Sequence, residues 1–183
     1  MSAANTYSRT AMTLHWLMAA LIFAAFPLGL YMSELKLSPL KLQLVSYHKW
    51  LGVTIFLLLL VRLVWRLRHT PPAFAWTISA WQQRAAHAVH QILYALLVAI
   101  PVSGWLMSSA KGVPVVYFGL VQLPDLVSKD KALGHLLENI HAALNYALLG
   151  LVLLHVAAAL KHHFLDQDDT LARMLPLLKR GAK

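Results

Sequence analysis

The chain has 183 residues, of which 59% are hydrophobic and only 13% charged, and it has no cysteine. Such a composition belongs to integral membrane proteins, and the missing thiols exclude disulfides, thiolate metal sites and iron–sulfur clusters, so any metal must be held by His, Met or carboxylate. The net charge of +9 would point to nucleic acid in a soluble protein. Here the cations hug the borders of apolar stretches and no recognition module presents them, so the charge is a topology signal and no nucleic-acid partner is expected.

Four apolar stretches, 11–31, 44–65, 85–107 and 136–160, are each long enough to cross a hydrocarbon core, which takes around 20 helical residues. The first is too long for a secretory signal core, lacks a strong basic leader and carries His15, so it reads as a helix. His48 lies near the start of the second stretch, His87 and His90 near the start of the third, and the fourth contains both His141 and His155. The connections are short, polar or Pro-bearing, as in Lys36 to Lys41 and His69-Thr70-Pro71-Pro72. The expected fold is an all-α, four-transmembrane-helix bundle forming one domain over residues 1–183. Pro27 and Pro101 are expected to kink helices one and three, and Met18 and Met107 to serve packing. Trp16, Trp50, Trp65, Trp81 and Trp105 read as an interfacial aromatic belt.

Orientation follows from cation placement. With both termini cytoplasmic, that side collects Arg9, Arg62, Arg66, Arg68, Arg84, Lys161, Arg173, Lys179, Arg180 and Lys183, against Lys36, Lys41, Lys49, Lys111, Lys129 and Lys131 outside. Helices one and three then run outward and two and four inward, so position in a helix becomes depth.

His141 and His155 are fourteen residues apart, almost four helical turns, which puts both rings on nearly one face with a separation of roughly 21 Å along the axis. His155 is flanked by Leu153, Leu154, Val156 and Ala157, none of which offers a polar side chain. A desolvated imidazole requires a partner, and imidazole is a ligand of haem iron, so the two tiers point to two stacked b-haem sites. In the outer tier His141 pairs with His48, since His135 precedes the apolar stretch among charged residues and reads as loop. In the inner tier His155 can meet His15 or His90, and the residues alone leave both open. Arg62, Arg66 and Lys49 are placed either to pair with haem propionates or to snorkel as boundary cations.

A set of local motifs extends these readings. They are Tyr7-Ser8-Arg9 with Leu14-His15-Trp16, His48 with Gly52, Val61-Arg62-Leu63, His90, and the closing run Gly150-Leu151, His155 to Leu160, His162-His163-Phe164, Asp169-Thr170-Leu171 and Arg173-Met174. Over essentially its whole length the chain resembles bacterial di-haem cytochrome b561 proteins. The resemblance implies His15 and His155 as ligands of an inner haem and His48 and His141 of an outer one. It puts His90 near the inner haem without ligating it, and associates His162 with quinone binding or proton delivery. It also implies a multi-pass protein of the bacterial inner membrane, in contact with lipid and carrying two haem b. The family includes a superoxide:ubiquinone oxidoreductase, which makes superoxide the expected donor and ubiquinone the expected acceptor. Lys36 and Lys41 stand where that relative is rich in Arg, and Ile140 where it has an aromatic. Two other readings are an electron-transfer subunit serving a dehydrogenase or hydrogenase partner, and a haem-free transporter using its histidines for protons.

Overall fold

Side-chain caps start each of the four long helices. Ser8 Oγ accepts from Ala11 N and Ser38 Oγ from Lys41 N, both at 3.2 Å, while Gln82 Oε1 reaches back to Ser79 N and Asp130 Oδ1 accepts from Leu133 N, both at 3.0 Å. The helices are α1 Arg9–Glu34, α2 Pro39–Arg68, α3 Ala80–Ala110 and α4 Lys131–Phe164. All four are long and apolar enough to cross a membrane. This computed structural model describes residues 6–73 and 78–178; Lys179, Arg180 and Lys183, counted above among the cytoplasmic cations, lie outside the described residues.

Each helix extends beyond its apolar stretch at both ends. Hydropathy marks only the hydrocarbon-depth portion, whereas the caps carry the backbone ladder into the polar boundary. His135 is the clearest correction. It lies inside α4, not in a loop, because Asp130 starts the helix at Lys131, and its exposed ring pairs with Glu138 at 3.5 Å.

Successive helices lie side by side, α1 on α2, α2 on α3 and α3 on α4. Ring contacts bridge α1 and α4, with Phe26 edge-on to Tyr146 at 6.1 Å. A small apolar core of Met18, Ile55 and Leu59 joins the helices, with Leu21, Ala25, Tyr94 and Leu97 packed around it. Met18 is therefore a packing residue. Much of the remaining apolar surface is exposed, including Phe23, Leu57, Val64, Leu153 and Leu154, as suits helices solvated by lipid.

The α3–α4 connection is shorter than the 108–135 gap between the apolar stretches, because both helices run on into it, and it is structured. Residues 111–130 carry an antiparallel hairpin of β1 (Val116–Tyr117) and β2 (Val121–Gln122), turned through Phe118 and Gly119 at φ 50° and 73°. Side chains of α2 and α3 hold this hairpin down. Trp50 Nε1 donates to Val116 O at 2.7 Å, Trp105 Nε1 to Pro124 O at 3.0 Å, and Lys49 Nζ to the carbonyls of Val113 and Pro114. At the opposite end the tail after α4 folds back over the bundle: Trp16 Nε1 donates to Met174 O at 2.9 Å, and Arg173 Nη1 to Ala73 O. Four of the tryptophans read as a belt thus bond through their indole N–H, the fourth being Trp65, which donates to Ser8 Oγ at 3.2 Å. Trp81 is exposed.

Candidate functional site

We refer to the two ends of the bundle as the hairpin end and the tail end. At the hairpin end the His48 ring of α2 faces the His141 ring of α4, with centroids 6.3 Å apart and planes at 83°. Toward the tail end His15 of α1 faces His155 of α4, also at 6.3 Å, with planes at 65°. His90 of α3 lies against His155 at 5.3 Å. The structure thus brings five candidate histidines, His15, His48, His90, His141 and His155, into two tiers along α4, whereas His162 lies further along that helix.

These distances test the fit of an iron between two imidazoles. A metal–nitrogen bond of about 2.0–2.1 Å, plus about 1.1 Å from nitrogen to ring centre on each side, requires centroids roughly 6.2–6.4 Å apart. Both 6.3 Å pairs match, and the 5.3 Å pair is about 1 Å too short. His90 therefore has the wrong spacing to share an iron with His155 as the rings stand, although it is close to it.

Each hairpin-end ring rests on a glycine of a Pro-containing helix. A Cβ on Gly29 of α1 would come within 3.0 Å of His48 Cε1, and one on Gly104 of α3 within 3.1 Å of His141 Cε1. Neither glycine was singled out from the sequence. The available signal was a repeated pattern, Gly-x-x-Met-Ser, at Gly29 to Ser33 and Gly104 to Ser108, each shortly after a helix-internal proline. Around Gly52 and Gly150 there is open space for an added Cβ, room that a flat macrocycle could use.

The two hairpin-end rings are oriented differently. His141 Nδ1 lies 3.1 Å from Ile100 O and 3.0 Å from Ser103 Oγ, whose own hydroxyl donates to Ile100 O at 2.8 Å. With the hydroxyl hydrogen committed there, both acceptors require a proton on Nδ1, which leaves the Nε2 lone pair free for a metal. His48 Nδ1 is buried without a well-formed hydrogen bond, although the Ala25 carbonyl is close enough to act on it.

The tail tier is cationic. Arg62 Nε donates to Tyr94 OH at 2.9 Å, and the Arg62 and Arg66 guanidiniums lie 5.9 and 5.5 Å from the Tyr94 ring centre. Arg62 acts electrostatically on His15, His90 and His155, and Arg66 on His90. These two arginines are therefore placed to meet an acidic group at this tier. Lys49, read from the sequence as either a propionate partner or a boundary cation, bonds the hairpin carbonyls of Val113 and Pro114.

His162 sits in the last turn of α4, two turns beyond His155, and belongs to a polar cluster at the tail end. Its Nδ1 lies 2.7 Å from Asp168 Oδ2 and 3.2 Å from Asp166 Oδ2. Burial opposes the charge of Asp168. Hydrogen bonds from the Thr170 side chain and backbone and from His162 outweigh it and hold that carboxyl below the usual carboxylate range.

A family model for prokaryotic cytochrome b561 matches residues 6–177. Cytochrome b561 homolog 2 of Escherichia coli K12 is 36% identical over 179 residues, covering 96% of this chain and 95% of that protein. Cytochrome b561 homolog 1 of the same organism is 30% identical over 180 residues, covering 96% and 99%. A Yersinia pestis protein named probable superoxide oxidase CybB is 30% identical over 185 residues, covering 96% and 98%. With this match along nearly its full length and four membrane-crossing helices, the chain belongs to the prokaryotic cytochrome b561 family of haem b-binding membrane electron-transfer proteins.

Proposed function

We propose that the protein is a di-haem b oxidoreductase of the bacterial inner membrane that takes single electrons from superoxide at the hairpin face and delivers them to ubiquinone at the tail face. His48 and His141 would hold one haem, and His15 and His155 the other. The observation that carries this reading is the recurrence of one ring spacing, 6.3 Å, in two tiers of the same helix. Haem supplies reversible one-electron storage when bound. The chain's own residues orient the ligands, exclude water and manage protons. Ile100 and Ser103 fix the tautomer of His141, and Gly29 and Gly104 let the rings sit close to their neighbouring helices.

Both termini are cytoplasmic in this reading, which turns the hairpin outward. Lys36, Lys41, Lys49, Lys111, Lys129 and Lys131 then surround the outer face and raise the local concentration of a small anion. Two superoxide ions give up one electron each and leave as dioxygen, while one ubiquinone gains those two electrons and two protons to become the quinol. His162, hydrogen-bonded to Asp168 at the inner boundary, is the proposed proton donor to the quinone, and the 2.7 Å contact keeps a proton at Nδ1.

A redox-difference spectrum with haem quantification tests the core of this. Two haems per chain and reduction by pulsed superoxide, with quinol formed in proportion, are expected. A reduced protein without b-type bands would end the haem reading, and haem that ignores superoxide would end the substrate reading.

A second reading draws on the exposed apolar tip of the hairpin, where Phe118, Leu120 and Val121 face outward. Such a patch suits a docked dehydrogenase or hydrogenase that donates electrons in place of superoxide. Co-purification of a redox partner that is lost on Leu120→Glu substitution would favour it.

A further inference from the structure

We propose that His162, Asp166 and Asp168 form a binding site for a divalent transition-metal ion of the zinc type. One ligand atom from each residue lies within 4.8 Å of the others. Ligands held at about 2.0–2.2 Å on a tetrahedral ion stand roughly 3.3–3.6 Å apart. The present separations from His162 Nδ1, 2.7 Å to Asp168 Oδ2 and 3.2 Å to Asp166 Oδ2, need to open by less than about 1 Å. One imidazole and two carboxylates are a borderline donor set that favours zinc over magnesium or calcium.

The surroundings support a built site. The backbone N–H groups of Asp166 and Asp168 bond the Lys161 and His162 carbonyls at 3.1 and 3.0 Å, which fixes the turn after α4. Asp168 Oδ1 accepts from Thr170 N at 2.8 Å, leaving Oδ2 directed at the ring. The side chains of His162 and Asp168 are 16% and 5% exposed, whereas that of Asp166 is 34% exposed and gives the solvent side of the site. A cavity of about 290 Å³, open to solvent and lined also by Gln82 from α3, borders all three and leaves room for the ion and its remaining water ligands.

A cation already competes for the position. Lys161 Nζ lies 2.8 and 2.6 Å from the two oxygens of Asp166. Among the described residues Lys161 pairs with Asp166 alone, so its single positive charge stands against the two carboxylates of the cluster and leaves a deficit that a dication can fill. At the hairpin end the comparable group of His135, Glu138 and Lys111 has only one carboxylate and is exposed, so it makes a natural control.

An ion on Nδ1 would occupy the nitrogen that now bonds Asp168 and would slow proton delivery to quinone. That consequence rests on the proposed role of His162, whereas the site itself does not. Calorimetric titration of the haem-loaded protein in detergent with zinc chloride is expected to give one saturable tail-end site. His162→Gln and Asp168→Asn should each weaken it at least about tenfold with the haem spectrum unchanged. Asp166→Asn serves if Asp168→Asn lowers haem content. Lys161→Met should tighten binding about tenfold by removing the competing charge. The double variant His135→Gln, Glu138→Gln should leave it intact. Absence of saturable zinc binding, or binding that survives His162→Gln and Asp168→Asn, overturns the proposal. Zinc that binds as expected yet leaves quinone reduction unchanged supports the site and counts against His162 as the proton donor.

Discussion

At the hairpin end, the polar partners of His48 and His141 are neutral: a serine hydroxyl and backbone carbonyls, with a glycine under each ring. At the tail end, His15 and His155 have the same ring spacing but share their tier with a third histidine, a tyrosine and two arginines. The equal spacing speaks for a common ligand chemistry, and the unequal surroundings speak for different electron affinities. A fixed cation stabilises an added electron nearby, so on the di-haem reading the tail tier is the lower-energy stop. On that proposal electrons would run from the hairpin face toward the tail, where His162 and Asp168 would attend to the protons.

The comparison breaks most visibly if a ligand is removed from each tier in turn. His141→Ala should halve the haem content, because among the described residues no other histidine ring contacts the hairpin pair beyond His48. His15→Ala leaves His90 already in contact with His155, and a shift of about 1 Å would restore a workable spacing. That variant should keep a substantial part of its tail-tier haem with an altered spectrum, and adding His90→Ala should abolish it. Pyridine haemochrome quantification of the three variants checks this. Equal haem loss in His141→Ala and His15→Ala would mean that His90 provides no reserve.

The next test is steric. At Gly104→Ala the new Cβ would stand 3.1 Å from a ring held by both Ile100 and Ser103, whereas at Gly29→Ala it would stand 3.0 Å from a ring with no well-formed hydrogen bond at Nδ1. The tethered ring has less freedom to give. Gly104→Ala should therefore cost about 1–3 kcal/mol of thermal stability and lower hairpin-tier haem occupancy, with Gly29→Ala milder. Heat denaturation followed at the haem bands of the two variants measures the difference, and a more damaging Gly29→Ala would reverse the assignment of the rigid ring.

The sequence made some of this legible for a simple reason. His141 and His155 share one helix, so helical geometry alone sets their facing and depth, and the lone polar ring among Leu153, Leu154 and Val156 advertises itself. Which ring meets His155 depends on how α1 and α3 are rotated around α4, and no pattern within a single segment encodes that rotation. Gly29 and Gly104 were hidden for a related reason: a glycine in an apolar helix looks like general close packing until the ring above it is seen. The hairpin over residues 111–130 escaped because its strands are only two residues each, although Gly112 and Gly119, both at positive φ, were visible turn signals. Tryptophans at helix ends suggested a lipid belt, and their second use, as tethers for the hairpin and the tail, depends on chain partners far away in sequence.

The smallest effect tests whether charge distinguishes the tiers. Arg62→Gln removes a cation that acts on His15, His90 and His155, while an amide can still reach the Tyr94 hydroxyl. Loss of that field should lower the tail-tier potential by about 1 kcal/mol, or some 40 mV, and leave the hairpin-tier potential in place. Tyr94→Phe breaks the 2.9 Å bond to Arg62 Nε but keeps the charge, so it should move the potential far less. A spectroelectrochemical titration resolving the two haems separates these outcomes. If Tyr94→Phe matched Arg62→Gln, the tyrosine's placement of the guanidinium would matter more than the charge itself. If both potentials fell together under Arg62→Gln, the field would span the bundle, and the downhill direction from hairpin to tail would need another cause.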